Sequence, residues 1–248
     1  MPEGPSLVIL KEKALIFKGK KVIGASGYAD LDLAILEGKK VTDVKTWGKQ
    51  LLICFKGLTV RIHLMLFGSY LIDDRKKVNA KLSLQFANGE INFYTCSVKF
   101  IESPLAEVYD WEVDIMSDEW NPKKAFAALR ENESMLVCDA LMDQQIFSGS
   151  GNIIKNEVLF NTRIHPLSVI KAIPDKKLRE VIKETSRHSF DFLDWKKEGT
   201  LTKHFRAYEK KICPRCDIPF KLQITGKSKR KSYFCSNCQE LYKVGKSK

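Results

Sequence analysis

Three short stretches of this chain carry residue types that do chemistry. At its start, Pro2 precedes Glu3. Removal of Met1 would expose Pro2 as a secondary amine with a carboxylate as its immediate neighbour, and Pro-Glu-Gly-Pro is equally compatible with a stiff polar lead-in. Near the end, Cys213-Pro-Arg-Cys216 and Cys235-Ser-Asn-Cys238 form two CxxC pairs with eighteen residues between them. Four thiolates so spaced can surround one zinc ion tetrahedrally, and a closed set of four sulfurs leaves no position for a catalytic water. One structural zinc at Cys213, Cys216, Cys235 and Cys238 is therefore expected. A redox dithiol is the alternative, but no βαβ pattern surrounds either pair. Between these ends, FSGSGNIIKNEVLF places Gly149, Gly151 and Asn152 directly before a helical segment. The glycines permit backbone conformations closed to other residues, Asn152 is expected to cap the helix, and the first N–H groups of that helix form an anion site. An ordinary helix-turn-helix corner would read the same way.

These residues need a scaffold, and the hydropathy pattern outlines one. Residues 3–18 read as a helix, with Leu7, Leu10, Ala14 and Phe17 at helical spacing. From about Lys20 to Glu102 the chain is a series of short β-like runs. Leu82, Leu84 and Phe86 alternate, Asn88-Gly89 supplies a hairpin turn, and Ile91 and Phe93 resume the alternation. Several such strands imply a β-sandwich or barrel. At Asn121-Pro122 a good N-cap is followed by proline at the first helical position, and the spacing stays helical to about His204. Phe126, Leu129, Leu136, Leu141 and Ile146 are expected on buried faces, and a further helix follows Pro174-Asp175. The region between the cysteine pairs fits a β-hairpin too small to make its own core, which zinc would stabilise.

Composition narrows the partner. The 248 residues carry a net charge of +12, and 44% of them are apolar, enough for a real core. The last 41 residues hold eleven Lys or Arg against three Asp or Glu, so +8 of that charge is concentrated there. Clustered cations gain free energy by displacing counterions from phosphates, which points to a polyanion. Lys227, Lys229, Arg230 and Lys231 lie next to Tyr233 and Phe234, where a metal-clamped hairpin would aim them at phosphate. No run of 18 apolar residues and no signal-peptide pattern occurs, so a soluble protein of the cytoplasm or nucleoid is expected, with no membrane partner. Cys54, Cys96 and Cys138 read as buried free thiols.

Five motifs occur in order: MPEGP at the start, WGKQLL at 47–52, HLMLFG at 63–68, DQQIFSGSGNIIKNEVLF at 143–160, and CPRC with RKSYFCSNCQ at the end. Together they resemble, over nearly the whole chain, the formamidopyrimidine-DNA glycosylase and endonuclease VIII family of base-excision repair enzymes. The resemblance implies an α+β multidomain fold: an N-terminal helix and β-sandwich over 1–118, a helix-two-turn-helix domain over 119–207 and a four-cysteine zinc finger over 208–248. It implies that Pro2 is the nucleophile, attacking the anomeric carbon of a damaged nucleotide as the base leaves. An α-amine has a reference pKa of about 7.7–8.0 against about 10.4 for lysine, so more of it is unprotonated near neutrality. The iminium so formed would promote β- and then δ-elimination. Glu3 matches the family's acid/base carboxylate. Lys49, Asn152 and Arg230 match its phosphate grips, Arg230 lying five residues before Cys235. Met65, Leu66 and Phe67 align with the wedge that fills the void left when the target nucleotide is turned out, with Leu66 expected to enter the stack. At least one of these three is expected to be strand core. His63 is expected to contact phosphate or play a structural part. The implied partner is damaged double-stranded DNA, bound by a monomer.

Two departures from the family pattern stand out. Ser6 occupies a position where many relatives carry a second glutamate. CSVKFIESP lacks the Asp-Pro-Arg-Arg-Phe run of the formamidopyrimidine branch; Val98 takes the place of one arginine, while Lys99 and Phe100 are partial stand-ins for opposite-strand probes. Gly4 in MPEGP is similar to the endonuclease VIII branch, which implies oxidised pyrimidines as substrates. The competing readings are a glycosylase for oxidised purines, a non-catalytic zinc-containing DNA-binding protein and a zinc-ribbon RNA-binding factor.

Overall fold

The computed structural model describes residues 2–245; Met1 and the last three residues of the expected finger lie outside them. The chain divides into two compact units, Met1–Asp110 and Trp111–Lys248.

The first unit opens with α1 (Gly4–Ala14), which continues as a 3-10 turn over Leu15–Phe17. Pro5 in its first turn presets the helical backbone, and Leu7, Leu10, Ala14 and Phe17 are all buried, as their spacing predicts. Eight strands follow: β1 (Val22–Ser26), β2 (Asp43–Trp47), β3 (Gln50–Phe55), β4 (Leu58–His63), β5 (Ser69–Ile72), β6 (Leu82–Phe86), β7 (Gly89–Tyr94) and β8 (Ser97–Ile101). They form two four-stranded antiparallel sheets, ordered β1-β6-β7-β5 and β2-β3-β4-β8. The alternation read at Leu82, Leu84, Phe86, Ile91 and Phe93 is the buried face of the first sheet. These residues share one core with Leu51, Ile53, Val60 and Ile62 of the second sheet and with Leu7 and Leu10 of α1. Phe86 pairs with Gly89, so the turn residues are Ala87 and Asn88, with Gly89 at φ +136° opening β7. A short helix, α2 (Leu105–Val108), leads out of the sandwich.

In the second unit, α3 (Pro122–Glu131) starts as its sequence predicts: Asn121 Oδ1 accepts from Lys123 N and Lys124 N. It is followed by α4 (Val137–Ala140), α5 (Asn152–Asn161) and the long α6 (Asp175–Lys197). Leu129, Leu141 and Ile146 are buried with Phe147, Ile154, Leu159, Leu178 and Phe192, whereas Phe126 and Leu136 are half-buried at the edge of that core. The unit closes with a hairpin of β9 (Lys221–Thr225) and β10 (Arg230–Phe234) beside the cysteines. Cys54, Cys96 and Cys138 are free and buried. No helix among the described residues is long and apolar enough to cross a membrane.

Candidate functional site

Pro2, Glu3, Lys49, His63, Met65, Leu66, Phe67 and Lys99 fall in the first unit. Asn152, Arg230 and the four cysteines fall in the second.

Pro2 is half-buried and Glu3 is fully buried. Glu3 stands at the N-cap of α1 with extended backbone, and its carbonyl accepts from Ser6 N at 2.8 Å. Gly4, Pro5 and Leu7 pack inward behind it, so burial of the helix face anchors the carboxylate that follows Pro2. Ser6 Oγ is buried and meets no hydrogen-bond partner.

Lys49 sits in a two-residue turn, because Trp47 pairs directly with Gln50 across β2 and β3. The turn is held from below. Trp47 Nε1 donates to Asp110 O at 2.9 Å, its ring lies 4.9 Å from that of Tyr109, and the Tyr109 hydroxyl donates to Gln50 Oε1 at 2.7 Å. The strand register extends the same end of the sheet. Gln50 pairs with His63 and His63 with Ser97, and two rows on, on the same face of the sheet, Arg61 lies between Leu52 and Lys99. Burial lowers the pKa of His63 from its ordinary value, and the charges of Arg61 and Lys49 push it the same way. The imidazole is therefore neutral at pH 7, with Nδ1 2.9 Å from Met65 Sδ. Lys99 is exposed, but Val98 and Phe100 pack against the core from β8, so Phe100 is not a free probe.

The wedge corrects one expectation. None of Met65, Leu66 and Phe67 is core: they are 53%, 40% and 85% exposed, and the buried residue of the segment is Leu64. β4 stops at His63, and Gly68 N returns to Leu64 O at 2.7 Å. A Cβ on Gly68 would lie 1.9 Å from that oxygen, so only glycine closes this turn, and the closed turn carries residues 65–67 outward. Strand alternation was the wrong template because the strand ends one residue earlier.

In the second unit the SGSGN turn also departs in detail from its reading. Gly149 takes φ +97°, while Gly151 is the N-cap of α5 in extended conformation. Asn152 is the first helical residue and makes no capping bond, a correction that follows from the cap falling one residue earlier. Its Oδ1 is buried without a partner, as are Ser148 Oγ and Ser150 Oγ in the same turn. Gln144 braces the turn, accepting from Gly149 N at 3.1 Å and donating to Ser150 O at 3.1 Å. Of these, the Ser148 and Ser150 hydroxyls can donate, which at the start of a ten-residue helix suits an anionic ligand, whereas Asn152 Oδ1 can only accept.

Arg230 is half-exposed at the start of β10, opposite Thr225. Side chains that the sequence reading did not single out hold this hairpin. Lys155 Nζ donates to Ser232 Oγ at 2.9 Å and Lys231 O at 3.1 Å, and Asp139 Oδ1 accepts from Lys227 N at 2.8 Å near the tip. Asn156 donates to both Asn152 O and Lys231 O and accepts from Tyr233 N, so one side chain ties the α5 turn to the strand bearing Arg230. Glu157 is fully buried and accepts from the N–H groups of Arg206, Ala207 and Tyr208 at 3.0, 3.0 and 2.7 Å. Burial raises its pKa, with those three bonds pulling the other way. The only signal for this set was the polar run Lys-Asn-Glu inside an otherwise apolar helix.

The Sγ atoms of Cys213, Cys216, Cys235 and Cys238 all lie within 4.8 Å of one another, and Cys213 and Cys238 are 3.8 Å apart. Tetrahedral ligands at a Zn–S distance of about 2.3 Å stand roughly 3.8 Å from each other, so the four sulfurs fit one such ion.

Known proteins resemble this chain in sequence and fold. Residues 1–101 match the formamidopyrimidine-DNA glycosylase N-terminal domain and residues 113–189 the formamidopyrimidine-DNA glycosylase H2TH domain. The chain is 31% identical to endonuclease 8-like 3 of Mus musculus over 217 residues, covering 84% of this chain and 36% of that protein. It is 27% identical to formamidopyrimidine-DNA glycosylase of Lactobacillus helveticus, covering 98% of this chain and all of the relative. It thus spans little more than a third of the length of the endonuclease 8-like 3 relatives from mouse and cattle. The fold superposes on a viral DNA glycosylase with a TM-score of 0.84 at 18% identity, over 96% of this chain and all of that one. A Lactococcus lactis formamidopyrimidine-DNA glycosylase, bound non-covalently to DNA containing an AP site, gives a TM-score of 0.85 at 18% identity over 96% and 99% of the two chains.

Proposed function

The chain belongs to the formamidopyrimidine-DNA glycosylase and endonuclease VIII family, and from that premise we infer that it is a bifunctional DNA glycosylase and AP lyase, acting as a monomer on damaged double-stranded DNA. The observation that carries this reading is the fully buried Glu3 directly after a half-buried Pro2. A carboxylate withdrawn from water beside an amine is suited to passing protons to and from a sugar that the amine attacks.

In this reading the Pro2 nitrogen bonds to C1′ as the bond from C1′ to the base breaks, and the base leaves with the electron pair. Glu3 protonates the ring oxygen, the sugar opens, and the nitrogen becomes a cationic iminium. That cation acidifies C2′; loss of its proton breaks the C3′–O bond and releases the 3′ phosphate, and a second elimination breaks the C5′–O bond. Hydrolysis then frees Pro2.

Lys49, Asn152 and Arg230 grip phosphates around the lesion, with His63 and Lys99 as further backbone contacts. Leu66, flanked by Met65 and Phe67, fills the vacated stack. Cys213, Cys216, Cys235 and Cys238 hold one zinc ion, which supplies folding free energy to the finger rather than chemistry. The working parts are residues 1–118, 119–207 and 208–248. Gly4 and the similarity to endonuclease 8-like relatives support oxidised pyrimidines as substrates.

The test is borohydride trapping on a duplex with one abasic site, with mass mapping of the linked peptide and a Pro2→Gly control. A cross-link at Pro2 is expected. Its absence from zinc-loaded protein lacking Met1 would replace the catalytic reading with that of a DNA-binding protein. A panel of oxidised bases then reads the substrate class, and faster release of purines would overturn the pyrimidine preference.

A further inference from the structure

The outer face of the first sheet carries a polar row that the repair chemistry leaves unused. Ser26 pairs with Ser83, and Ser83 with Asn92, so these side chains lie abreast across β1, β6 and β7, on the face opposite Leu82, Leu84 and Phe93. Residues 73–80 arch over the row. Asn92 Nδ2 donates to Asp74 O at 3.0 Å, and the Tyr94 hydroxyl accepts from Lys76 N at 3.0 Å. On the other side the chain passes close to β6 at Gly27, where a Cβ would fall 2.4 Å from Lys81 O. The result is a pocket of about 460 Å³, lined among others by Ser26, Tyr28, Lys76, Lys77, Ser83 and Asn92.

Two features of this pocket point to a ligand. Ser83 is among the residues that line the pocket; it is only 4% exposed, and its buried hydroxyl has no hydrogen-bond partner. Buried polar groups are normally satisfied, so an unpartnered one at a cavity marks a place for an incoming polar group. The charges are also one-sided: Arg75, Lys76 and Lys77 line the pocket and, among the described residues, no carboxylate does. Nearby acids are already engaged. Asp73 accepts from Glu90 N, Asp74 accepts from Arg75 N, and Glu90 holds the Arg75 guanidinium. Lys76 Nζ donates to Ser69 Oγ at 2.6 Å, keeping two protons for another acceptor. Tyr28, more than half exposed, adds an aromatic wall.

Asn92 spends its two amide hydrogens on Asp74 O and Glu90 Oε1, which leaves ammonium groups and hydroxyls to meet a ligand; these suit a phosphate oxyanion, and the volume exceeds what the anion alone fills. We propose that this pocket binds a small phosphomonoester, with its phosphate on Lys76, Lys77 and Ser83 and its organic part against Tyr28. The proposal is independent of the catalytic reading.

The test is residue-resolved amide NMR on the full-length, zinc-loaded protein at pH 7.5, titrated with inorganic phosphate, thymidine 5′-monophosphate and thymidine. Both phosphates are expected to shift amides around residues 26–28, 75–80 and 83, and thymidine is not. Tighter binding of the nucleotide than of phosphate would assign the organic part to Tyr28, and equal binding would overturn the phosphomonoester in favour of the free anion. The Lys76→Gln/Lys77→Gln variant should weaken nucleotide binding at least roughly tenfold, and Ser83→Ala roughly threefold or more. Unchanged shifts at Leu84 and Ile91 would show both variants folded. Thymidine binding as tightly as its monophosphate, shifts only elsewhere, or full affinity in the double lysine variant would each overturn the proposal.

Discussion

At Glu3 a carboxylate is held out of water at the head of α1, so its role can be separated from that of its neighbour. If it supplies protons for base release, Glu3→Gln should slow glycosylase turnover by roughly 10²- to 10⁴-fold while Pro2 still cross-links to a preformed abasic site; single-turnover kinetics and trapping on the two substrates check this. Burial and the charges of Arg61 and Lys49 lower the pKa of His63, so any inflection it gives the pH–rate profile should fall below the ordinary histidine value. A different histidine governs stability. His188 in α6 is fully enclosed, neither ring nitrogen has a hydrogen-bond partner, and burial lowers its pKa from 6.5 to about 4. The unfolded chain takes up this proton at higher pH than the folded one does. The stability held above pH 6.5 is therefore lost as pH falls toward 4, by about 3 kcal/mol in all. Thermal melting between pH 7 and 4.5 should show that loss, and His188→Leu should flatten it. Single residues were legible in the sequence where spacing and chemistry coincide, as at the four cysteines that the fold brings together. Asn152 was found by its place after two glycines, but a one-residue shift in the cap changed what its side chain does.

At the scale of elements, the closed turn at 64–68 and the hairpin that bears Arg230 carry the strongest expectations. Phe67 is 85% exposed, so Phe67→Ala should leave the melting temperature nearly unchanged, and Leu66→Ala, at a side chain more than half buried, should lower it modestly, while both slow base release from duplex DNA. A lesion already in single-stranded DNA should be much less affected, since no stack has to be refilled. Comparing the two substrates in one variant makes that check. Glu157 behaves oppositely. Glu157→Ala would leave three N–H groups without their acceptor and should cost on the order of 3 kcal/mol in chemical denaturation. Glu157→Gln should cost less, because Oε1 can keep two of the bonds while its amide faces the Arg206 N–H. Strands were readable here from alternation and α3 from its cap. The network of Lys155, Asn156 and Glu157 was not, because a polar run on a helix usually faces solvent, and only the packing of β10 against α5 turns it inward.

Across the whole molecule, the excess positive charge predicts binding that weakens steeply with salt, a dependence in which Lys49 and Arg230 should share if they grip phosphate as proposed. Replacing Lys49 by Ala should reduce the slope of log K against log salt by roughly one without altering preference among lesions; titrations at several salt concentrations test it. Family and architecture were legible because five motifs keep their order along the chain. The pocket beneath residues 73–80 was not, since its walls come from strands that only the sheet order brings together. The distribution of thiols has a further consequence. Cys54, Cys96 and Cys138 are buried, out of reach of an oxidant in solvent. Only Cys216 and Cys238, both in the finger, are partly open to solvent. If the hairpin grips DNA as proposed, peroxide would thus meet the protein first there and loosen that grip before the buried thiols are touched.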